Sequence, residues 1–273
     1  FDPLTVKHLG LKMYSHLPAA LAEIISNSYD AYATKVGVVL EENDGTPKSI
    51  TIMDNGIGLS KEQINTQFLV IGRNRRLDQD KVEPPPFTRE PTGKKGLGKL
   101  ALFGMAKEIT ITTIKDGFLN QFILNYDDLV ASTDKYKPKA PQVDTKTDKP
   151  NGTTVKLTKL KRISPFDTEG LIDSLSRIFL IDNNFQIAVV SPQNYTTKIT
   201  NERKYDTIEK EFVWSIQEMG LTAGSTSKFA SITGTLITTK KPISPSSGLR
   251  GITLYSRGKL VNLPEYFSES TSS

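Results

Sequence analysis

The chain has 273 residues, with Lys plus Arg at 35 against Asp plus Glu at 30, giving a formal charge of +5. Hydrophobic residues at 37% and charged residues at 24% describe a soluble globular protein and exclude a collagen-like repeat or disorder throughout. The absence of cysteine excludes disulfide scaffolds, thiolate zinc sites and thiol catalysis. His8 and His16 leave little for a histidine metal site, and no apolar run approaches the ~18 residues of a membrane helix.

In chain order, Ser15 to Ala33 carries Leu21, Ile25, Tyr29 and Tyr32 at helical spacing, with Pro18 suited to a first turn. Val36–Leu40 and Ser49–Met53 read as strands around Asp44-Gly45, a hairpin expected to need more than the tightest two-residue loop. Lys61–Ile71 predicts a short helix. Arg73–Thr92, basic and then proline-rich, predicts a long loop of the functional or disordered kind. Gly98–Ala106 predicts a helix, and Glu108–Lys115 and Phe118–Tyr126 predict strands paired around Asp116-Gly117. Ala131–Lys149, rich in Lys, Asp, Thr and Pro, reads as a solvated loop or insertion, with nucleic-acid contact as its other reading. Thr153–Leu160 and Phe185–Val190 read as strands, Leu171–Leu180 as a helix, and Trp214 in the mixed run Lys204–Met219 as a packing residue. Phe229–Thr239 and Gly251–Leu260 are strand-like and predict the start of a second domain. Phe1 in place of Met, the lack of a leader, and the tail Ser268–Ser273 read as a piece cut from a longer protein.

Four stretches carry chemistry. Steps of four and three residues put Glu23, Asn27 and Asp30 on one helical face. A carboxylate, an amide and a carboxylate there could serve a magnesium–phosphate site, or simply be a solvated helix face. Ile50–Met53 runs into Asp54-Asn-Gly56-Ile-Gly58. The acid can accept from an exocyclic amine such as adenine's, and the glycines allow a flat ring to approach the backbone; an ordinary strand-to-turn exit fits as well. Gly93-Lys-Lys-Gly96-Leu97-Gly98-Lys99 fits the first part of a P-loop. Leu100 stands where a hydroxyl must meet magnesium, and no strand leads in. Glycines before a helix still expose backbone N–H groups suited to phosphates, unless they serve only a tight turn. Gly152-Thr153-Thr154-Val155 enters a strand and says little alone.

In their order and spacing, these four stretches resemble the GHKL ATPases: gyrase B, Hsp90-type chaperones, sensor histidine kinases and MutL, with the MORC ATPases close by. The resemblance covers roughly residues 5–160. It implies an α+β fold, a two-layer sandwich of the Bergerat type with a mixed sheet and helices on one face. The expected organisation is an ATP-binding core over 1–160 with a lid at 73–92, a remainder or linker over 161–228, and the start of a transducer-like α/β domain over 229–273.

The resemblance also implies roles. Glu23 would polarise the attacking water and Asn27 would bind Mg2+. Asp30 is an N-box position facing the nucleotide. Asp54 would receive the adenine amine, partly through water, with Gly56 and Gly58 beneath the ring. Gly96, Leu97, Gly98 and Lys99 would hold phosphates, and Thr153 would join the adenine–Asp54–water network. Arg257 and Lys259 are candidates for a basic group sent to the γ-phosphate from the second domain, against a hairpin turn with a solvated basic pair.

The expected partners are ATP, a second copy on ATP binding, attached C-terminal domains, and a protein client or DNA, with no membrane. Cytoplasmic is the expected location. Glu23 at the hydrolytic position, with no histidine in an upstream helical bundle, favours hydrolysis over protein phosphorylation. A nucleotide-regulated interaction module with negligible turnover is the remaining alternative. The lid sequence Arg73-Asn-Arg75-Arg76 is similar to MORC-type and prokaryotic relatives, some in DNA-handling or phage-defence systems.

Overall fold

The computed structural model describes residues 16–68, 89, 92, 101–132, 136–217, 232–244 and 248–262. By their internal contacts they form two compact units, residues 1–201 with 256–259, and residues 202–255 with 260–273.

In the first unit, helix α1 (Leu17–Asp30) starts with a proline in its first turn and buries Ala20, Leu21, Ile24 and Ile25. The alternation of one and three steps between these residues gives the apolar stripe of an amphipathic helix. The helix ends three residues before Ala33 because Tyr32 turns left-handed, at φ 60°. Strand β1 (Lys35–Asn43) and strand β2 (Thr46–Asp54) then form a hairpin with Asn43 opposite Thr46. The loop is therefore the two-residue Asp44-Gly45, shorter than the sequence suggested. Both residues have positive φ, 48° and 74°, which matches the twist of the flanking strands.

A short helix α2 (Lys61–Gln63) continues as a π-helical turn over Ile64–Phe68. Ser60 and Gln63 cap it reciprocally, side chain to backbone in both directions. Helix α3 (Ala101–Met105) leads into strand β3 (Ala106–Lys115), so the helical stretch expected to reach Ala106 stops one residue short. Strand β4 (Phe118–Asn125) pairs with β3 around Asp116-Gly117, and α4 (Tyr126–Ala131) follows.

Strand β5 (Lys139–Lys146) corrects the reading of 131–149 as a loop. It is exposed along its whole length at the sheet edge, so pairing with β4 alone forms it, with no apolar face to betray it in sequence. Strand β6 (Gly152–Leu160), helix α5 (Thr168–Ile178), strand β7 (Gln186–Val190) and strand β8 (Thr196–Lys198) complete the layer.

The eight strands run β5-β4-β3-β6-β2-β1-β7-β8. The β1–β7 pair is parallel and the others are antiparallel, so the sheet is mixed, as expected of this α+β fold. One face carries Val36, Val38, Ile50, Ile52, Ile109, Ile111, Val155, Leu157, Ile187 and Val189 into a single core with Leu21 and Ile25 of α1 and Leu171 and Leu175 of α5. Each fully buried Leu or Ile contributes about 1.5–3 kcal/mol. The alternate residues on the other face, among them Thr110, Thr112, Thr154 and Lys156, are only partly buried.

In the second unit, strand β9 (Lys210–Ser215) pairs antiparallel with strand β10 (Thr235–Thr239). Trp214 stacks on Phe212 with ring centroids 5.3 Å apart, the packing role expected of it. Lys204, only 4% exposed, lies 4.7 Å from the ring centre of Tyr255, whose phenol pKa burial pushes up to about 12. Strands β11 (Tyr255–Ser256) and β12 (Lys259–Leu260) form a short hairpin, and its turn residues Arg257 and Gly258 have φ 56° and 73°. Ser256–Lys259 belong to the first unit: Gly258 carbonyl accepts from Leu180 N–H at 2.8 Å, and Lys259 bridges to Phe179. Among the described residues, no helix is long and apolar enough to cross a membrane.

Candidate functional site

Asp54 is the last residue of β2, where the strand leaves the core and the chain turns back towards α1. Its Oδ1 accepts from Gly56 N–H at 2.9 Å and from Thr153 N–H at 3.2 Å, and its Oδ2 accepts from the Ser28 hydroxyl at 2.8 Å. Burial pushes the carboxyl above the ordinary carboxylate range, and these hydrogen bonds, which favour the ionised form, pull against it. Among the described residues Oδ2 receives one hydrogen bond, which leaves it acceptor capacity for a ligand N–H.

Sheet register builds the rest of this end. Asp54 lies opposite Thr153 on β6, and Thr153 lies opposite Thr113 on β3. The fully buried Thr113 hydroxyl accepts from Leu59 N–H at 2.9 Å and lies 3.2 Å from the Thr153 hydroxyl. Thr113 can give its single proton either to Thr153 or to the Gly152 carbonyl 3.4 Å away; in the first arrangement the Thr153 proton is available to a ligand acceptor. That arrangement sets an acceptor at Asp54 and a donor at Thr153 side by side, the complement of an amine next to a ring nitrogen.

Ser28 and Thr113 escaped the sequence reading. Each was signalled by a polar residue on an apolar period: Ser28 lies on the stripe of Leu21 and Ile25, and Thr113 follows Ile109 and Ile111 in alternation. Asn55 was also missed. Its Oδ1 accepts from Thr34 N–H at 2.9 Å and Lys35 N–H at 2.8 Å, and its Nδ2 donates to the Thr34 hydroxyl at 2.8 Å, pinning the loop to the start of β1.

The glycines of this loop have a reason within the chain. A Cβ at Gly56 would lie 2.6 Å from the Ala31 carbonyl oxygen. At Gly58, where φ is +67°, a Cβ would lie 1.9 Å from the Ile114 carbonyl oxygen. Backbone on both sides requires glycine here, whether or not a ring lies against the loop.

The other end lies on α1. Glu23, Asn27 and Asp30 are all partly exposed on one side of the helix. Glu23 Oε1 accepts from Lys259 Nζ at 3.0 Å, with the two side chains 31% and 22% exposed. The structure thus brings together two residues 236 positions apart that the sequence reading had named separately. Arg257 stands in the adjoining turn. Burial raises the Tyr29 phenol pKa, with Arg89 and, more weakly, Arg257 pulling it back. Asp30 Oδ1 accepts from Thr92 N–H at 2.7 Å and from the Thr92 hydroxyl at 2.8 Å. Gly96, Leu97, Gly98 and Lys99 lie outside the described residues, as does the expected lid apart from Arg89 and Thr92.

An amide oxygen at Asn27 suits a hard, oxygen-preferring cation, and the Glu23 carboxylate one helical turn away suits a water. Among the described residues no group of three or more Asp, Glu, His or Cys could hold a metal alone. Such a donor set fits magnesium, which takes few protein ligands and keeps water and phosphate oxygens.

A family model described as histidine kinase-, DNA gyrase B- and HSP90-like ATPase matches residues 14–154. The chain belongs to this family. The matched range holds Glu23, Asn27, Asp30, Asp54 and Thr153, whereas Arg257 and Lys259 fall beyond it. The ATPase-family chain is also 30% identical over 261 residues to a protein of Herpetosiphon aurantiacus described as a candidate type II restriction enzyme, HgiDII. That similarity covers 93% of this chain and 39% of the relative, so the chain spans about two fifths of the relative's length.

Proposed function

We propose that this chain is a magnesium-dependent ATPase module whose ATP cycle drives closure of a lid and pairing of two copies, and so signals to attached domains that act on DNA. The observation that carries the nucleotide reading is the partly buried Asp54 carboxylate, held by Gly56, Ser28 and Thr153 and set beside the Thr153 hydroxyl. Asp54 takes the adenine amine and Thr153 gives its proton to the ring edge. Glu23 takes a proton from a water aligned on the γ-phosphorus; the new P–O bond forms as the bond to the β-bridging oxygen breaks, releasing ADP and phosphate. Asn27 offers its amide oxygen to Mg2+, which when bound neutralises phosphate charge. Lys259, 3.0 Å from Glu23, is the candidate cation for this chemistry. Arg257 is assigned a supporting charge at the same turn. Gly96 to Lys99 hold the phosphates, and residues 73–92 form the lid.

The DNA part of the proposal is supported by the description of the relative as a candidate restriction enzyme and by its greater length. The cytoplasm is the compartment in which such a module would meet ATP and DNA. The test is Glu23→Ala, for which phosphate release should fall about 10²–10⁴-fold while ATP affinity stays within a few fold. Persistent turnover would remove Glu23 as the base, and transfer of labelled γ-phosphate to a protein side chain would favour the kinase reading. Molar mass measured with and without a non-hydrolysable ATP analogue tests the pairing.

A further inference from the structure

Asp30 was expected to face the nucleotide, yet its Oδ1 holds Thr92 through both the backbone N–H and the hydroxyl. Three positions earlier, Arg89 is fastened to the same end of α1. One of its terminal nitrogens donates to Tyr29 carbonyl at 3.2 Å and Ala33 carbonyl at 2.6 Å, and the other donates to Asn184 carbonyl. Its guanidinium also lies 4.4 Å from the ring centre of Tyr29 and 5.5 Å from that of Phe185, and these two rings meet edge to face at 5.1 Å. The Tyr29 carbonyl also accepts from Tyr32 N–H at 3.0 Å, so Arg89 gives it a second bond and sets a positive charge at the negative end of the helix dipole.

Two ties therefore fix Arg89 and Thr92 to the C-terminal end of α1. The next residue along is Gly93, which opens the glycine run ending at Lys99. We propose that Asp30 is a positioning residue, which together with Arg89 holds Thr92 at the end of the helix that carries Glu23 and Asn27. On this account Asp30 acts on ATP through Thr92, without touching the nucleotide. The idea rests on the ATPase reading for its effect on ATP, but the tie itself does not.

The test compares Asp30→Ala with Asp30→Asn in the full chain. An asparagine amide oxygen can still accept from both Thr92 donors, whereas alanine cannot. Without nucleotide, hydrogen exchange of the Thr92 amide, whose N–H Asp30 holds, should speed up about tenfold in Asp30→Ala and stay close to wild type in Asp30→Asn. The KM for ATP should rise about tenfold in Asp30→Ala and less than about threefold in Asp30→Asn, with adenosine affinity unchanged in both. Unchanged exchange in Asp30→Ala overturns the proposal. So does an Asp30→Asn protein as impaired as Asp30→Ala, or a loss of adenosine affinity matching the loss for ATP, since either means direct contact. Should Asp30→Ala fail to fold, Thr92→Val removes the hydroxyl alone and must show the same pattern at smaller size; unchanged exchange there is equally decisive. A wild-type chain that binds no ATP would sink the ATPase reading, while the exchange result would still decide the tie.

Discussion

The two ends of the site are built in opposite ways. At the Asp54 end the fold itself orients the site: one partly buried carboxylate takes three donors from α1, the loop after β2 and β6. At the Glu23 end, among the described residues, an ion pair with Lys259 joins two partly exposed side chains. A preformed end can select a ligand without rearranging, because the cost of ordering its groups was met in folding. On the proposed ATPase reading, the Glu23–Lys259 pair would have to open before Glu23 could act on water, so the fold would settle recognition and Lys259 would settle turnover.

The strongest way to break this comparison is Lys259→Met. If the lysine exchanges from Glu23 to phosphate, turnover should fall about 10²–10³-fold with ATP affinity changed little, measured by phosphate release and by titration calorimetry. Unchanged turnover would make the ion pair a structural contact and remove the difference between the two ends. Asp54→Asn comes next. Its amide brings two donors into a site that already has three, so ATP affinity should fall about 10–100-fold, with adenosine falling in parallel. Unchanged affinity would show that the prebuilt end does not read the base.

The smallest effect is on pH, and its sign is diagnostic. The Asp54 pKa is raised in the folded chain, so the native state holds this proton more tightly than the unfolded one. As pH rises through the window between the ordinary value and the raised one, the group's contribution to stability falls. Ligand affinity changes the other way, because only the ionised form accepts the amine. Adenosine, which carries no titrating phosphate, should bind about threefold more weakly as pH drops into that window, above the ~3.9 of an exposed aspartate. The dependence should vanish in Asp54→Asn, and a titration at the ordinary aspartate value would mean that the carboxyl is not desolvated.

Much of this arrangement was legible in sequence, for reasons that also mark where reading stops. The α1 stripe and the alternating strands β2, β3 and β6 declare themselves because one face is buried and the period follows. Strand β5 does not, because an edge strand exposed along its whole length needs no apolar period, and Pro141 and its lysines look like loop. The length of the Asp44-Gly45 loop was misjudged because strand ends, here Asn43 and Thr46, carry no burial signal. Glu23 and Lys259 could each be singled out by motif, but nothing in a linear chain says that residues 236 apart form an ion pair. Arg89 sits among prolines without a periodic neighbour, so its capping of α1 was invisible.

The parallel pairing of β1 with β7 bears on how the chain reaches its fold. Val36 and Val38 at the sheet centre wait for Ile187 and Val189, some 150 residues later, to cover their open side. Closing so long a loop is slow and comes late. Until then β1 is a bare, valine-rich edge of the kind that recruits other chains. The same edge would be laid open permanently by cutting the chain after β6, just past the end of the family match. For this molecule the smallest soluble piece is therefore longer than the smallest recognisable one.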